Sequence, residues 1–76
     1  MQLHLGGHLS WYDPQKRPRL EIKLAEPVSL MSLLEQLNVP AAEIAVATVN
    51  RVAVALQDAQ VSDSDSVELF PPVGGG

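Results

Sequence analysis

Apolar and polar residues alternate at the start of the chain, Leu3 and Leu5 against Gln2 and His4, the period-two pattern of a half-buried strand. Gly6-Gly7 ends or bulges that strand, because residues without a Cβ accept dihedrals that others avoid. The alternation resumes further on: Leu20, Ile22 and Leu24 face one way, and Arg19, Glu21 and Lys23 face the other. Between the two runs, His8 to Pro18 carries the turn initiator Asp13-Pro14 and ends in a second proline. The pattern predicts a β-hairpin with a long, partly aromatic loop.

From Leu30 the period changes. Leu30, Leu33, Leu34 and Leu37 recur at i, i+3, i+4 and i+7, one apolar stripe on a helix. Ser29 is placed to cap it, Val28 and Leu33 occupy the two positions of a hydrophobic staple, and Asn38 suits the left-handed position after the last turn. Pro40 prevents continuation. The expected helix is short, Leu30 to Leu37, with its leucine face against a sheet.

Strand patterns then return. Ile44 to Val49 and Val52 to Leu56 flank Asn50-Arg51, a two-residue hairpin turn in which Arg is weaker than the usual Gly. A loop runs through Asp58 and Val61 to Asp63-Ser64-Asp65, and Val67 and Leu69 alternate with Glu68 and Phe70 in a last strand. Pro71-Pro72 ends it, since neither residue can donate to a ladder. The order β-β-α-β-β(-β) predicts an α+β fold of the β-grasp, or ubiquitin-like, kind. Such a fold has a mixed four- to five-stranded sheet with one main helix on one face. Residues 1–73 are expected to form this domain, and residues 74–76 a flexible C-terminal tail.

Composition narrows the function. The chain has 76 residues, five Lys+Arg against nine Asp+Glu, and no cysteine. A net charge of −4 provides no basic footprint for nucleic acid or an anionic membrane. No apolar run approaches the ~20 residues of a spanning helix. The first residues lack the basic and apolar regions of a signal peptide, which together with the missing cysteine points to the cytoplasm.

Three of the five glycines are the last three residues, Gly74, Gly75 and Gly76. A tail without Cβ atoms can thread a narrow channel, and its extended backbone offers N–H and C=O groups to a partner in β-strand fashion. Its one special functional group is the Gly76 carboxylate. Carboxylates are poor electrophiles, so chemistry there requires activation, as in a mixed anhydride with a nucleotide phosphate. The chain has no Gly-rich phosphate loop before a helix and no clustered base, nucleophile and charge stabiliser. A partner enzyme must therefore supply the step.

The segment from Val49-Asn50-Arg51 through Asp63-Ser64-Asp65 to Phe70-Pro71-Pro72-Val73-Gly74-Gly75-Gly76 resembles the C-terminal half of the small ThiS/MoaD-like sulfur carriers. That family includes the small subunit of molybdopterin synthase and the thiamine-pathway sulfur carrier, β-grasp proteins that end in Gly-Gly. Phe-Pro-Pro-Val before the glycines is more similar to the molybdopterin branch. The resemblance implies that a ubiquitin-activating-type adenylyltransferase adenylates the Gly76 carboxylate with ATP and Mg²⁺. A sulfur donor protein then converts it to a thiocarboxylate. The large subunit of molybdopterin synthase, or an equivalent acceptor enzyme, takes the sulfur. The chain itself would bind no cofactor and act as a carrier, not an enzyme. The family's Asn-Gly and Asp-Gly-Asp turns are here Asn50-Arg51 and Asp63-Ser64-Asp65, and Gly74 stands where a small residue such as Ala is common. Other readings are a carrier for thiamine or another sulfur-transfer pathway, a ubiquitin-like modifier joined to lysines, and a plain interaction module.

Phe70, Pro71, Pro72 and Val73 are the expected interface, a rigid platform from which Gly74 and Gly75 lead to the reacting Gly76. The sheet face away from the helix is the expected docking face, with Val54 placed on it beside Phe70 and Val73. Trp11-Tyr12 is a candidate partner contact on an exposed loop. His4 and His8 would share a strand face, but ordinary surface histidines are the expectation. No metal site is expected, and Asp63 and Asp65 read as a turn rather than a calcium loop.

Overall fold

A computed structural model describes residues 1–72. The elements run β1 (Gln2–Leu5), a 3-10 turn (Gly7–Tyr12), β2 (Arg19–Glu21), β3 (Val28–Ser29), α1 (Leu30–Leu37), a second 3-10 turn (Ala41–Glu43), β4 (Val46–Val49), β5 (Val52–Val54), β6 (Gln60–Val61) and β7 (Ser66–Phe70). Five strands form one mixed sheet in the order β2-β1-β7-β4-β5. Only the β1–β7 pair is parallel; β2, β4 and β5 run antiparallel to their neighbours. With α1 on one face this is the β-grasp arrangement that the element order predicts.

Register sorts the residues by face, because cross-strand partners point the same way. Leu3 lies opposite Leu20 and Val67, Leu5 opposite Leu69, and Ala47 opposite Leu69 and Val54. These join Leu30, Leu33 and Leu34 of the helix stripe in one core, in which Leu9, Leu30, Val67 and Leu69 are fully buried. The other sheet face carries Gln2, His4, Arg19, Glu68, Thr48, Val46 and Phe70.

The helix is built as its sequence dictates. Ser29 Oγ accepts the Ser32 N–H at 3.1 Å, and Asn38 takes the left-handed conformation at φ 59°. The Val39 N–H then donates to the Leu34 carbonyl at 3.0 Å, and the Val39 side chain is buried beside the core. A short β3–β6 ladder, with Val28 opposite Val61, fixes the helix entrance, where the Leu30 N–H reaches the Ala59 carbonyl at 2.9 Å. Two-residue strands carry no periodicity, so this ladder is invisible in the pattern.

Three expectations need correction. Strand β2 ends at Glu21 and β5 at Val54, short of Leu24 and Leu56. Ile22, Leu24 and Leu56 still pack against the core, so the apolar pattern reports burial beyond the ladder. The segment after Gly6 is not a simple loop: a 3-10 turn drives Leu9 into the core. Asp13 closes that turn. Its Oδ2 accepts the Gln15 and Arg17 N–H groups, each at 3.0 Å, and the Arg17 guanidinium donates to both carboxylate oxygens at 3.0 and 3.1 Å. The third correction concerns Val54, which points to the helix side of the sheet opposite Ala47 and not to the docking face. Among the described residues no helix is long and apolar enough to cross a membrane.

The Asn50-Arg51 turn has positive φ at both positions, 51° and 70°, the geometry that suits the twist of a hairpin. A side chain in this region costs roughly 1–2 kcal/mol relative to right-handed backbone. Arg51→Gly is therefore expected to stabilise the fold by about 0.5–1 kcal/mol, net of the added freedom of the unfolded chain, read as a higher urea midpoint. The Asp13 carboxyl is held down at about 2, first by the Arg17 side chain and then by the Arg17 and Gln15 N–H groups. A depressed carboxylate adds stability above its unfolded pKa and loses it as the pH falls through the folded one. Asp13→Asn should lower stability at neutral pH and flatten the loss between about pH 4 and pH 2, checked by urea midpoints across that range.

Candidate functional site

The last strand ends in a fixed platform. β7 is central in the sheet, so its final residues are gripped from both sides. The Gly6 N–H donates to the Leu69 carbonyl at 2.8 Å, and the Ala45 N–H donates to the Phe70 carbonyl at 2.8 Å. Pro71, with no N–H, stops the ladder at that point.

Gly6 and Gly7 make the close approach possible. A Cβ on Gly6 would lie 2.9 Å from the Leu69 carbonyl oxygen and 3.0 Å from Phe70 Cδ1. A Cβ on Gly7, whose φ is 51°, would lie 2.8 Å from Pro71 Cγ. The glycine pair therefore does more than end β1: it forms the floor on which Phe70 and Pro71 rest. Neither glycine was among the expected site residues. The Gly-Gly pair was the available signal, but its contact lies at the far end of the chain.

Phe70, Pro71 and Pro72 come together, with Ala45 and Val46, around an open, almost wholly apolar groove of about 470 Å³. Val46 lies opposite Phe70 and is 48% exposed, a large apolar side chain left to solvent. His4 meets the Phe70 ring edge-on with centroids 6.0 Å apart. Beyond Phe70 the same face turns polar. Thr48 Oγ1 donates to Glu68 Oε1 at 3.2 Å, and His4 Nδ1 stands 3.9 Å from Glu68 Oε2 with no hydrogen-bond partner of its own. The expected docking face thus carries Phe70, Pro71 and Pro72, and Val46 in place of Val54. Val73, Gly74, Gly75 and Gly76 lie outside the described residues.

Trp11 and Tyr12 part company. Trp11 is 72% exposed, whereas Tyr12 packs against the core and donates its hydroxyl to Glu43 Oε1 at 3.1 Å. Burial, reinforced by Glu43, raises the Tyr12 pKa. His8 Nε2 stands 3.5 Å from the same Glu43 oxygen. His4 and His8 thus turn to different carboxylates, and among the described residues no group of three or more His, Cys, Asp or Glu side chains assembles to hold a metal.

Asp63 and Asp65 are turn residues, as expected. Asp63 Oδ1 accepts the Leu24 N–H at 2.9 Å, which with the nearby N-terminal ammonium lowers its pKa. Asp65 accepts from Asn50 Nδ2 at 3.0 Å and from the Ser62 N–H at 2.8 Å, and its pKa is likewise lowered.

The sequence model of the ThiS family matches residues 11–76. No curated protein matches the chain. The matched stretch includes the Phe70–Pro72 platform and the terminal glycines, and it begins after the Gly6-Gly7 floor.

That floor is directly testable. Gly6→Ala sets a Cβ against a backbone oxygen that cannot give way, and Gly7→Ala adds strain at positive φ to contact with the Pro71 ring. Each is expected to destabilise the fold by about 1–3 kcal/mol, measured by chemical denaturation. Amide shifts of Phe70 and Ala45 should move in both variants while those of α1 stay in place.

Proposed function

The chain belongs to the ThiS family of small sulfur carriers, and from that premise we propose that its own cargo is a sulfur atom held as a thiocarboxylate at Gly76. The carboxylate oxygen attacks the α-phosphate of ATP on a ubiquitin-activating-type adenylyltransferase, with Mg²⁺ on the phosphates, and pyrophosphate leaves. AMP is a good leaving group where oxide is not, so the terminal sulfur of a donor protein's persulfide can attack the acyl carbon and expel AMP. A thiol reductant then cleaves the S–S bond of the acyl disulfide to leave the thiocarboxylate and the donor thiol. The chain has no cysteine, so no side-chain thiol competes as acceptor of its own activated terminus. Gly74 and Gly75 give the tail the narrow cross-section that an enclosed active site needs.

The observation that carries this reading is the platform. Phe70, Pro71 and Pro72 border an apolar groove at the end of a strand held on both sides, one residue before the terminal glycines in the sequence. A partner docking on the groove would find the tail starting from a fixed point, which reduces the entropy lost on threading it. Trp11 is a further contact candidate, because its 3-10 turn begins at Gly7, beneath Pro71.

The Phe-Pro-Pro-Val-Gly-Gly-Gly ending favours delivery to the large subunit of molybdopterin synthase, in molybdenum or tungsten cofactor synthesis in the cytoplasm. Co-purification with such a subunit supports that branch; capture by a thiamine-pathway acceptor moves the assignment to thiamine. Lysines bearing a remnant of this C-terminus would instead make the protein a modifier.

Incubation with the activating enzyme, ATP, Mg²⁺, a sulfur donor and a thiol reductant should replace one oxygen by sulfur in the intact mass. Deleting Gly75 and Gly76 together, which removes the Gly-Gly ending, should abolish that mass change and leave the thermal midpoint in place, since the core lies elsewhere. An unmodified carboxylate in the complete system would overturn the carrier reading.

A further inference from the structure

The docking face has a second end, away from the platform, and its chemistry is cationic. Arg19 on β2 and Arg51 in the β4–β5 turn line one open groove of about 420 Å³ with Asn50, Ser66 and Glu68. In a chain with nine acidic and five basic residues, two guanidiniums share this groove with one carboxylate, Glu68. Arg17 is committed to Asp13, whereas neither Arg19 nor Arg51 has a carboxylate partner among the described residues.

Arg51 holds the second position of its turn at φ 70°, where Gly would be relaxed. The turn is held firmly in place. Asn50 donates its backbone N–H to the Ser66 carbonyl at 2.7 Å and accepts the Ser66 N–H on Oδ1 at 2.9 Å. Its Nδ2 also donates to Asp65 Oδ1 at 3.0 Å. A side chain kept at a strained position, on an anchored turn and facing a groove, points to a role for the side chain itself.

We propose that the Arg19–Arg51 groove docks an acidic segment of a partner protein, one with carboxylates spaced along an extended chain. Geometry favours a segment over a small anion. From β2 to the β4–β5 turn the groove crosses β1 and β7, roughly 14 Å at the usual strand spacing. Glu68 projects on the same face between them, held by Thr48, and repels any single anion placed centrally. Two carboxylates about four residues apart on an extended strand span a similar distance and bypass Glu68. The groove shares its sheet face with Phe70 and Val46, so one partner can engage the apolar end and the cationic end together.

The test is amide-shift titration of the full chain with a hexaglutamate peptide, with hexaglutamine and inorganic phosphate as controls. Hexaglutamate should move the amides of Arg19, Asn50, Arg51 and Ser66 saturably, and salt should weaken the effect. Arg51→Gly should raise the dissociation constant at least about fivefold while also raising the urea midpoint, which separates lost binding from damaged folding. Arg19→Gln should weaken binding similarly. The proposal is overturned if the groove amides do not move, if phosphate or hexaglutamine moves them equally, or if Arg51→Gly binds undiminished. Neither Gly76 nor sulfur enters the readout, so its failure and that of the carrier reading are distinguishable.

Discussion

The parallel pairing of β1 with β7 is the constraint on which the rest depends. It sets the first strand beside the last, Leu3 against Val67 and Leu5 against Leu69, four residues deep in the core. A parallel pair cannot be closed by a tight turn, so the intervening chain has to cross over. Here that chain supplies α1, whose leucines cover the same face. The pairing also leaves β7 with a partner on each side, β1 and β4. An edge strand would end with one row of free backbone groups; β7 ends with Gly6 and Ala45 bonded to it. A central strand thus ends at a fixed point, at Phe70.

What the sequence made legible follows from how local each signal is. Helix α1 was readable to its bounds, because the leucine stripe, the Ser29 cap and the Asn38 stop all lie within one short segment. The Asn50-Arg51 turn was readable for the same reason. Leu9 was not, since one leucine among polar and aromatic neighbours sets no period, and only the tertiary core explains its burial. Val54 shows the limit most clearly. Alternation says that Val52 and Val54 share a face, but register with Ala47 decides which face that is.

The platform residues Phe70, Pro71 and Pro72 were legible as chemistry because prolines end a ladder wherever they occur. The floor beneath them was not. Gly6-Gly7 reads locally as a strand end, and its second role depends on residues brought near only by the β1–β7 ladder. The family match, over residues 11–76, also starts beyond it. A contact made by the absence of a side chain leaves no residue type to recognise, only a space that a Cβ would fill.

The outer face of the sheet divides its work along the strands. At the tail end it is apolar, with Val46, Phe70, Pro71 and Pro72; in the middle the Thr48–Glu68 bond sets a polar step in the same row as Arg19. At the other end stands Arg51, and neither arginine has an acidic partner among the described residues. Apolar contact supplies affinity with little direction, whereas charges placed at a distance fix orientation and speed encounter. A carrier that presents its terminus to a partner's site, as proposed, has reason to separate the two. Burying the groove beside Pro72 alone would leave a partner free to rotate about that point. A second contact, with Arg51 at the opposite end of β4 and Arg19 two strands from β7, would remove that freedom. Arg51 would then hold its strained backbone for the same reason that Gly6 gives up its side chain: each trades local preference for the placement of the terminus.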